Sequence, residues 1–142
     1  MKEIIRVLLS CVGGRRAIDL IKILKKDQIY KYEIIGIDTN IVKGIKNKIE
    51  NFYIVPKGYK KNFINKVLKI IKKEKINLAI FGSDEEVINV SNNINLFKKL
   101  PCFIPVMDKT KLNIITNKLK LFQKLKKKKN RSSKMGSCQK YK

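Results

Sequence analysis

Two hydrophobic rhythms alternate along the chain. Residues 4–9 form a short β-branched and leucine-rich run, apolar on both faces, the pattern of a central parallel strand. Ala17, Leu20, Ile21 and Leu24 then recur at helical spacing and predict a helix over 15–26. Residues 33–37 read as a second strand, stopped by Asp38. Residues 39–51, with Gly44 and many polar groups, read as a loop with a short helical turn. A third strand is predicted over 52–55, closed by the turn signal Pro56-Lys57-Gly58. Phe63, Val67, Ile70 and Ile71 predict a helix over 60–74, followed by a buried strand over 77–81 and a helix over 84–90. Residues 92–100 are expected as a short helix or loop, and 102–105 as a strand. Asp108 or Thr110 is suited to cap a helix through Ile115. Asn117 is suited to cap another over 118–128, with Leu119, Phe122 and Leu125 on its buried face. Beyond Lys129 the periodicity fails, which predicts a disordered basic tail over 129–142. Strands that alternate with helices specify an α/β fold, a Rossmann-like doubly wound parallel sheet with right-handed crossovers.

Composition narrows the chemistry. At 142 residues the chain is long enough for one domain with a real core and no disulfides. No apolar run reaches the roughly 18 residues that span a membrane, so no membrane is expected as a partner, and cytoplasm is the expected compartment. Cys11, Cys102 and Cys138 are widely spaced, and there is no histidine. That argues against a zinc site, a disulfide framework and Ser-His or Cys-His catalysis. The net charge of +23 raises the question of a polyanion partner. However, +8 of it falls in residues 125–142, and the lysines are spread along helix faces without interleaved aromatics. A Lys-, Ile- and Asn-rich composition accounts for the charge, and nucleic acid is not expected as a partner.

In a doubly wound sheet, ligands bind beyond the carboxyl ends of the strands. Three segments fall there. The first is Ser10-Cys11-Val12-Gly13-Gly14-Arg15-Arg16, a strand end, a glycine pair and a helix start. Backbone N–H groups at such a turn favour anions, and guanidinium matches phosphate or carboxylate in a fork. The dinucleotide pattern G-x-G-x-x-G/A is incomplete in either register. A second reading is that the glycines serve only the sharpness of the turn. The second is Asp38, placed either to hold a ligand hydroxyl or to cap the Thr39-Asn40 turn. The third is Gly82-Ser83-Asp84-Glu85-Glu86. Ser83 and Glu86 have capping-box spacing, and Asp84 or Glu85 could face a substrate amine or hydroxyl.

Taken in order, these segments, together with Ile34-Ile35-Gly36-Ile37-Asp38, Phe52-Tyr53-Ile54-Val55-Pro56-Lys57-Gly58 and Thr116-Asn117-Lys118-Leu119-Lys120, resemble the N-terminal (pre-ATP-grasp) domain of ATP-grasp ligases. The nearest likeness is to proteins related to the carbamoyl-phosphate synthase large chain, over about residues 3–128. The resemblance implies a ligase that joins a carboxylate to an amine or thiol through an acyl phosphate, with ATP and Mg2+ in the full-length protein. By that match Gly13, Gly14, Arg15 and Arg16 would face a small-molecule carboxylate or amine substrate. Asp38, Ser83, Asp84 and Glu85 would border it, and Lys118 would reach the ATP phosphates. Thr116-Asn117 departs from the more usual Asn-Asp before that lysine.

The resemblance also divides the chain. Residues 1–115 correspond to the pre-ATP-grasp domain and 116–128 to a helix leading towards an ATP-grasp domain absent from this sequence. The lysine run 126–129 implies an adenine tract in the gene, so residues from about 129 onward are expected to be out-of-frame translation. The expected function is therefore the substrate side of a ligase cleft, with no cofactor held by this fragment and no activity by itself. A separate ATP-grasp chain or a second copy would be its partner. Two other readings stay open: a stand-alone nucleotide- or dinucleotide-binding domain, and a basic nucleic-acid-binding protein.

Overall fold

A computed structural model describes residues 2–135, with side chains through 127. The chain divides into two compact units after Val106. The first contains β1 (Ile4–Ser10), α1 (Arg15–Lys25), β2 (Lys31–Asp38), β3 (Asn51–Ile54), α2 (Asn62–Glu74), β4 (Leu78–Ile80), α3 (Asp84–Asn92) and α4 (Ile94–Phe97), with a 3-10 turn at Ile45–Asn47. The second contains α5 (Lys109–Ile115) and α6 (Lys118–Met135).

The four strands form one parallel sheet in the order β3-β2-β1-β4. Its two faces are covered by separate apolar clusters, as a parallel sheet requires. Leu9, Val12 and Ile34 pack with Ala17 and Ile21 of α1. Leu8, Ile35 and Ile37 pack on the other face with Phe63, Val67 and Ile71 of α2, Val90 of α3 and Phe97 of α4. Adjacent residues of one strand thus serve opposite faces. Because β2 lies on one side of β1 and β4 on the other, the strand order reverses at β1, and a crevice opens between the ends of β1 and β4.

The α/β Rossmann-like fold is the one the pattern predicts, with differences at three places. Residues 102–105 do not form a strand. Phe103 alone bridges β4, donating its N–H to Asn77 O (2.8 Å) and accepting from Ala79 N (3.0 Å). The next bond of that parallel ladder would need a donor at position 105, which is Pro105 and has no N–H. Leu119, Phe122 and Leu125, expected in a core, are 66%, 65% and 57% exposed. Among the described residues of its unit, the seven-residue α5 is the only other helix for α6 to pack on. Finally, α6 continues to Met135, through residues expected to be disordered. No Gly or Pro occurs in it before Gly136, and lysine is a good helix former. Residues 136–142 of the expected tail lie outside the described residues. Asp108 caps α5, accepting from Thr110 N and Lys111 N at 3.0 Å each.

The Pro56-Lys57-Gly58 turn after β3 runs against the start of α3. Gly58 is buried, and its carbonyl accepts from Asn89 Nδ2. A Cβ here would stand 2.7 Å from Glu86 N and 3.0 Å from Glu85 C, backbone atoms that cannot step aside. Gly58→Ala is therefore expected to destabilise the fold by about 1–3 kcal/mol, an overpacking cost, as a lower urea midpoint with an unchanged slope.

Candidate functional site

Ser10, the last residue of β1, is 1% exposed and carries a hydroxyl where the pattern calls for an apolar side chain. That hydroxyl donates to Glu86 Oε2 at 2.5 Å and accepts from Gly82 N at 2.7 Å. Glu86 is 4% exposed, and the same oxygen accepts the Ser83 N–H at 3.3 Å and the Cys11 thiol at 3.6 Å. Ser83 Oγ in turn accepts from Glu86 N at 3.3 Å, completing a capping box at the start of α3. One buried carboxyl group therefore joins the end of β1, the β4–α3 loop and the first turn of α3.

The turn that follows is shaped by Cys11. It adopts a left-handed backbone (φ 54°), and its carbonyl accepts from Gly14 N at 2.9 Å. Neither Gly13 nor Gly14 has positive φ. Their value is space. At Gly13 a Cβ would meet Val42 at 3.1 Å and Asp38 Oδ2 at 3.4 Å. Gly13 N donates to that Asp38 oxygen at 3.1 Å, while Asp38 Oδ1 accepts from Thr39 N at 2.7 Å. Asp38 caps the turn after β2 and braces the glycine turn from the neighbouring strand.

Between these loops lies a cleft of about 530 Å³, lined by Ser10, Cys11, Gly14, Arg15, Arg16 and Gly82, with Leu20, Ile80 and Phe81 as apolar wall. It sits at the reversal of strand order. Gly14 caps α1 without a side-chain hydrogen bond, and the first turn of α1 has no acidic residue. Arg15 and Arg16 are exposed, and neither has an ion-pair partner among the described residues. Uncapped N–H groups and two free guanidiniums make the cleft suited to an anion.

Of the residues singled out from sequence, the cleft gathers Gly14, Arg15 and Arg16, with Gly13 in the same turn. Asp38 stands behind that turn. Ser83, Asp84 and Glu85 lie at the cap and first turn of α3, where Asp84 and Glu85 are exposed and do not line the cleft. Lys118 begins α6, in the second unit. Sequence reasoning placed Ser10 at the start of the first loop segment but gave it no partner, and it took Glu86 for a capping residue alone. The signal for Ser10 is a lone hydroxyl at the end of an otherwise apolar strand.

Neither described cysteine is a poised nucleophile. Burial, and then the neighbouring Glu86, push the Cys11 thiol from 9.0 up to about 11, and burial does the same to Cys102. Both stay protonated at neutral pH. Among the described residues no three His, Cys, Asp or Glu side chains gather as a metal set.

Two outcomes test this site. Ser10→Ala leaves Gly82 N–H and the buried Glu86 each short of a partner, and is expected to cost about 1–3 kcal/mol in urea unfolding. Alkylation of Cys11 and Cys102, followed by peptide mapping, is expected to accelerate towards pH 11 instead of levelling off near 9. Since both thiols have folded values above the unfolded one, their contribution to stability is complete below about pH 9 and is lost as pH rises through 11.

No helix among the described residues is long and apolar enough to cross a membrane. No curated protein matches the chain. The family model described as "PylC-like, N-terminal domain" matches residues 7–104, from the middle of β1 to just past the Phe103 bridge, and so takes in the cleft and the Ser10–Glu86 pair. With that span matched, the chain belongs to the PylC-like N-terminal domain family, a pre-ATP-grasp-type domain of ATP-grasp ligases.

Proposed function

We propose that this domain forms the substrate side of a carboxylate–amine or carboxylate–thiol ligase cleft of the carbamoyl-phosphate synthase-like type, and that it binds a small carboxylate-bearing substrate. The observation that carries this reading is the cleft between the ends of β1 and β4, where the uncapped start of α1 and the unpaired Arg15 and Arg16 face the same space. A carboxylate there would accept N–H groups of the α1 first turn and guanidinium donors, leaving the rest of the molecule over the apolar wall of Leu20 and Ile80. The domain's part is to bind and orient, since the Cys11 thiol stays protonated and no acid lines the cleft.

ATP and Mg2+ belong to the full-length ligase that this reading implies, and Lys118, expected to reach the ATP phosphates, is an exposed residue outside the family-matched span. No step of ATP activation is assigned to the described residues, and the chain alone is expected to turn over no ATP. The dinucleotide alternative has less support, because Asp38, the acid it would turn to ribose hydroxyls, already accepts from Gly13 N and Thr39 N.

Amide shifts of the chain titrated with amino acids and with small dicarboxylates test the reading. Saturable shifts are expected at Cys11, Gly14–Ala17 and Gly82, and none with the corresponding amides that lack a carboxylate. Arg15→Ala with Arg16→Ala should weaken binding about ten- to hundredfold, the loss of one or two charge-assisted hydrogen bonds. Carboxylate binding unaffected by that double change, or tighter saturable binding of NAD, would sink it.

A further inference from the structure

The apolar wall of the cleft follows from the strand order. Helix α1 connects β1 to β2 and packs on Leu9 and Ile34 of those two strands, while β4 stands on the other side of β1. Helices α2, α3 and α4 pack on the opposite face. Leu9 and Ile80 are register partners in β1 and β4, on the face that α1 covers. Leu9 is buried, but Ile80 is only half-buried, and so is Leu20 of α1. Leu9, Ala17, Leu20 and Ile80 thus leave an apolar strip open in the same cleft as Gly14, Arg15 and Arg16.

The polar lining carries one sign of charge. Arg15 and Arg16 are cationic, the Cys11 thiol is protonated, and the Ser10 hydroxyl is taken up by Glu86 and Gly82 N. No Asp or Glu lines the cleft among the described residues. An ammonium group held there would meet two guanidiniums and the positive end of α1, with no carboxylate to pair with. A second carboxylate laid on Leu20 and Ile80 would lose its hydration and gain no donor.

We infer that the cleft selects a monocarboxylate with an uncharged apolar body, a branched aliphatic acid of the isocaproate kind, and that Leu20 and Ile80 set this specificity. The carboxylate takes the α1 N–H groups and a guanidinium, and the branched chain covers the strip that α1 leaves open. A cleft of about 530 Å³ holds such a molecule, since ligand pockets run from about 300 to 1,000 Å³. The inference rests on the carboxylate reading of the same cleft and adds to it the body of the substrate. Amino acids and dicarboxylates still bind through one carboxylate, but less tightly.

Amide and methyl shifts of the full chain, titrated with a matched series of acids, test it. Leucine adds an α-ammonium group to isocaproate, succinate replaces its isopropyl group with a carboxylate, and acetate lacks the apolar body. Isocaproate is expected to saturate the shifts of Gly14–Ala17 and Gly82 at about tenfold lower concentration than the other three, through burial of several apolar carbons. It should also move the methyls of Leu20 and Ile80. Leu20→Gln keeps helix propensity, and should cut the preference for isocaproate over acetate to about threefold or less. Acetate, succinate or leucine binding as tightly as isocaproate would overturn the inference and leave the carboxylate reading standing. A folded Leu20→Gln chain that keeps the full preference would do the same, and if that variant does not fold, the series on the unaltered chain decides. Absence of saturation by all four acids would overturn both.

Discussion

The hydrogen bond from Ser10 to Glu86 joins two segments 76 residues apart, and the geometry of the cleft depends on it. A carboxyl group taken out of water loses its hydration and must find donors inside the protein. Glu86 finds them in Ser10, Cys11 and Ser83, each from a segment that borders the crevice. Those three donors fix the end of β1, the first residue of the β1–α1 turn and the cap of α3 around one oxygen. Ser10 also accepts from Gly82 N, so the β4–α3 loop cannot drift from β1 without orphaning a buried N–H. Gly58 closes the arrangement from outside, with no side chain that could push α3 away.

This anchoring explains how a turn with a strained residue can be a rigid wall. A left-handed conformation at a non-glycine residue costs on the order of 1–2 kcal/mol and persists only where its surroundings hold it. Cys11 is held by its thiol on Glu86, by its carbonyl on Gly14 N and by Gly82 at close range. Asp38 fastens the next residues from the β2 side. The backbone of the turn is thus fixed before any ligand arrives, the condition for binding without an ordering cost.

The alternation of runs and helical spacing was enough to read the four strands of the sheet, its two faces and the main helices, because burial on both faces leaves Val7–Leu9 of β1 and Ile34, Ile35 and Ile37 of β2 apolar. Position 103 shows where that reading ends. A run flanked by prolines satisfies the hydrophobic pattern but cannot continue a ladder beyond one bridge. Leu119, Phe122 and Leu125 show the reverse: helical spacing identifies an apolar face without saying that anything covers it. At the site, Ser83 and Glu86 were legible as a capping box because that device is local. The partner that buries Glu86 was not, since Ser10 lies across the sheet. The glycine pair marks a turn that lines the cleft, but the sharp bend there is not its doing. The glycines give room, and Cys11 makes the bend.

Arg15 and Arg16 stand apart from this framework. Every other polar side chain named at the turn has a structural partner: Ser10 and Cys11 have Glu86, and Asp38 has Gly13 and Thr39. The two arginines have no ion-pair partner among the described residues, and they place positive charge at the positive end of α1, where it is mildly unfavourable for the helix. Folding therefore gives no account of them, and removing them should leave stability within about half a kcal/mol. A carboxylate in the cleft changes that balance, since it would neutralise the guanidiniums and complement the helix end together. On the proposed reading, the fold and carboxylate binding would be carried by different side chains of one short turn, and a change in substrate would be accommodated at Arg15 and Arg16 without disturbing the Ser10–Glu86 anchor beneath them.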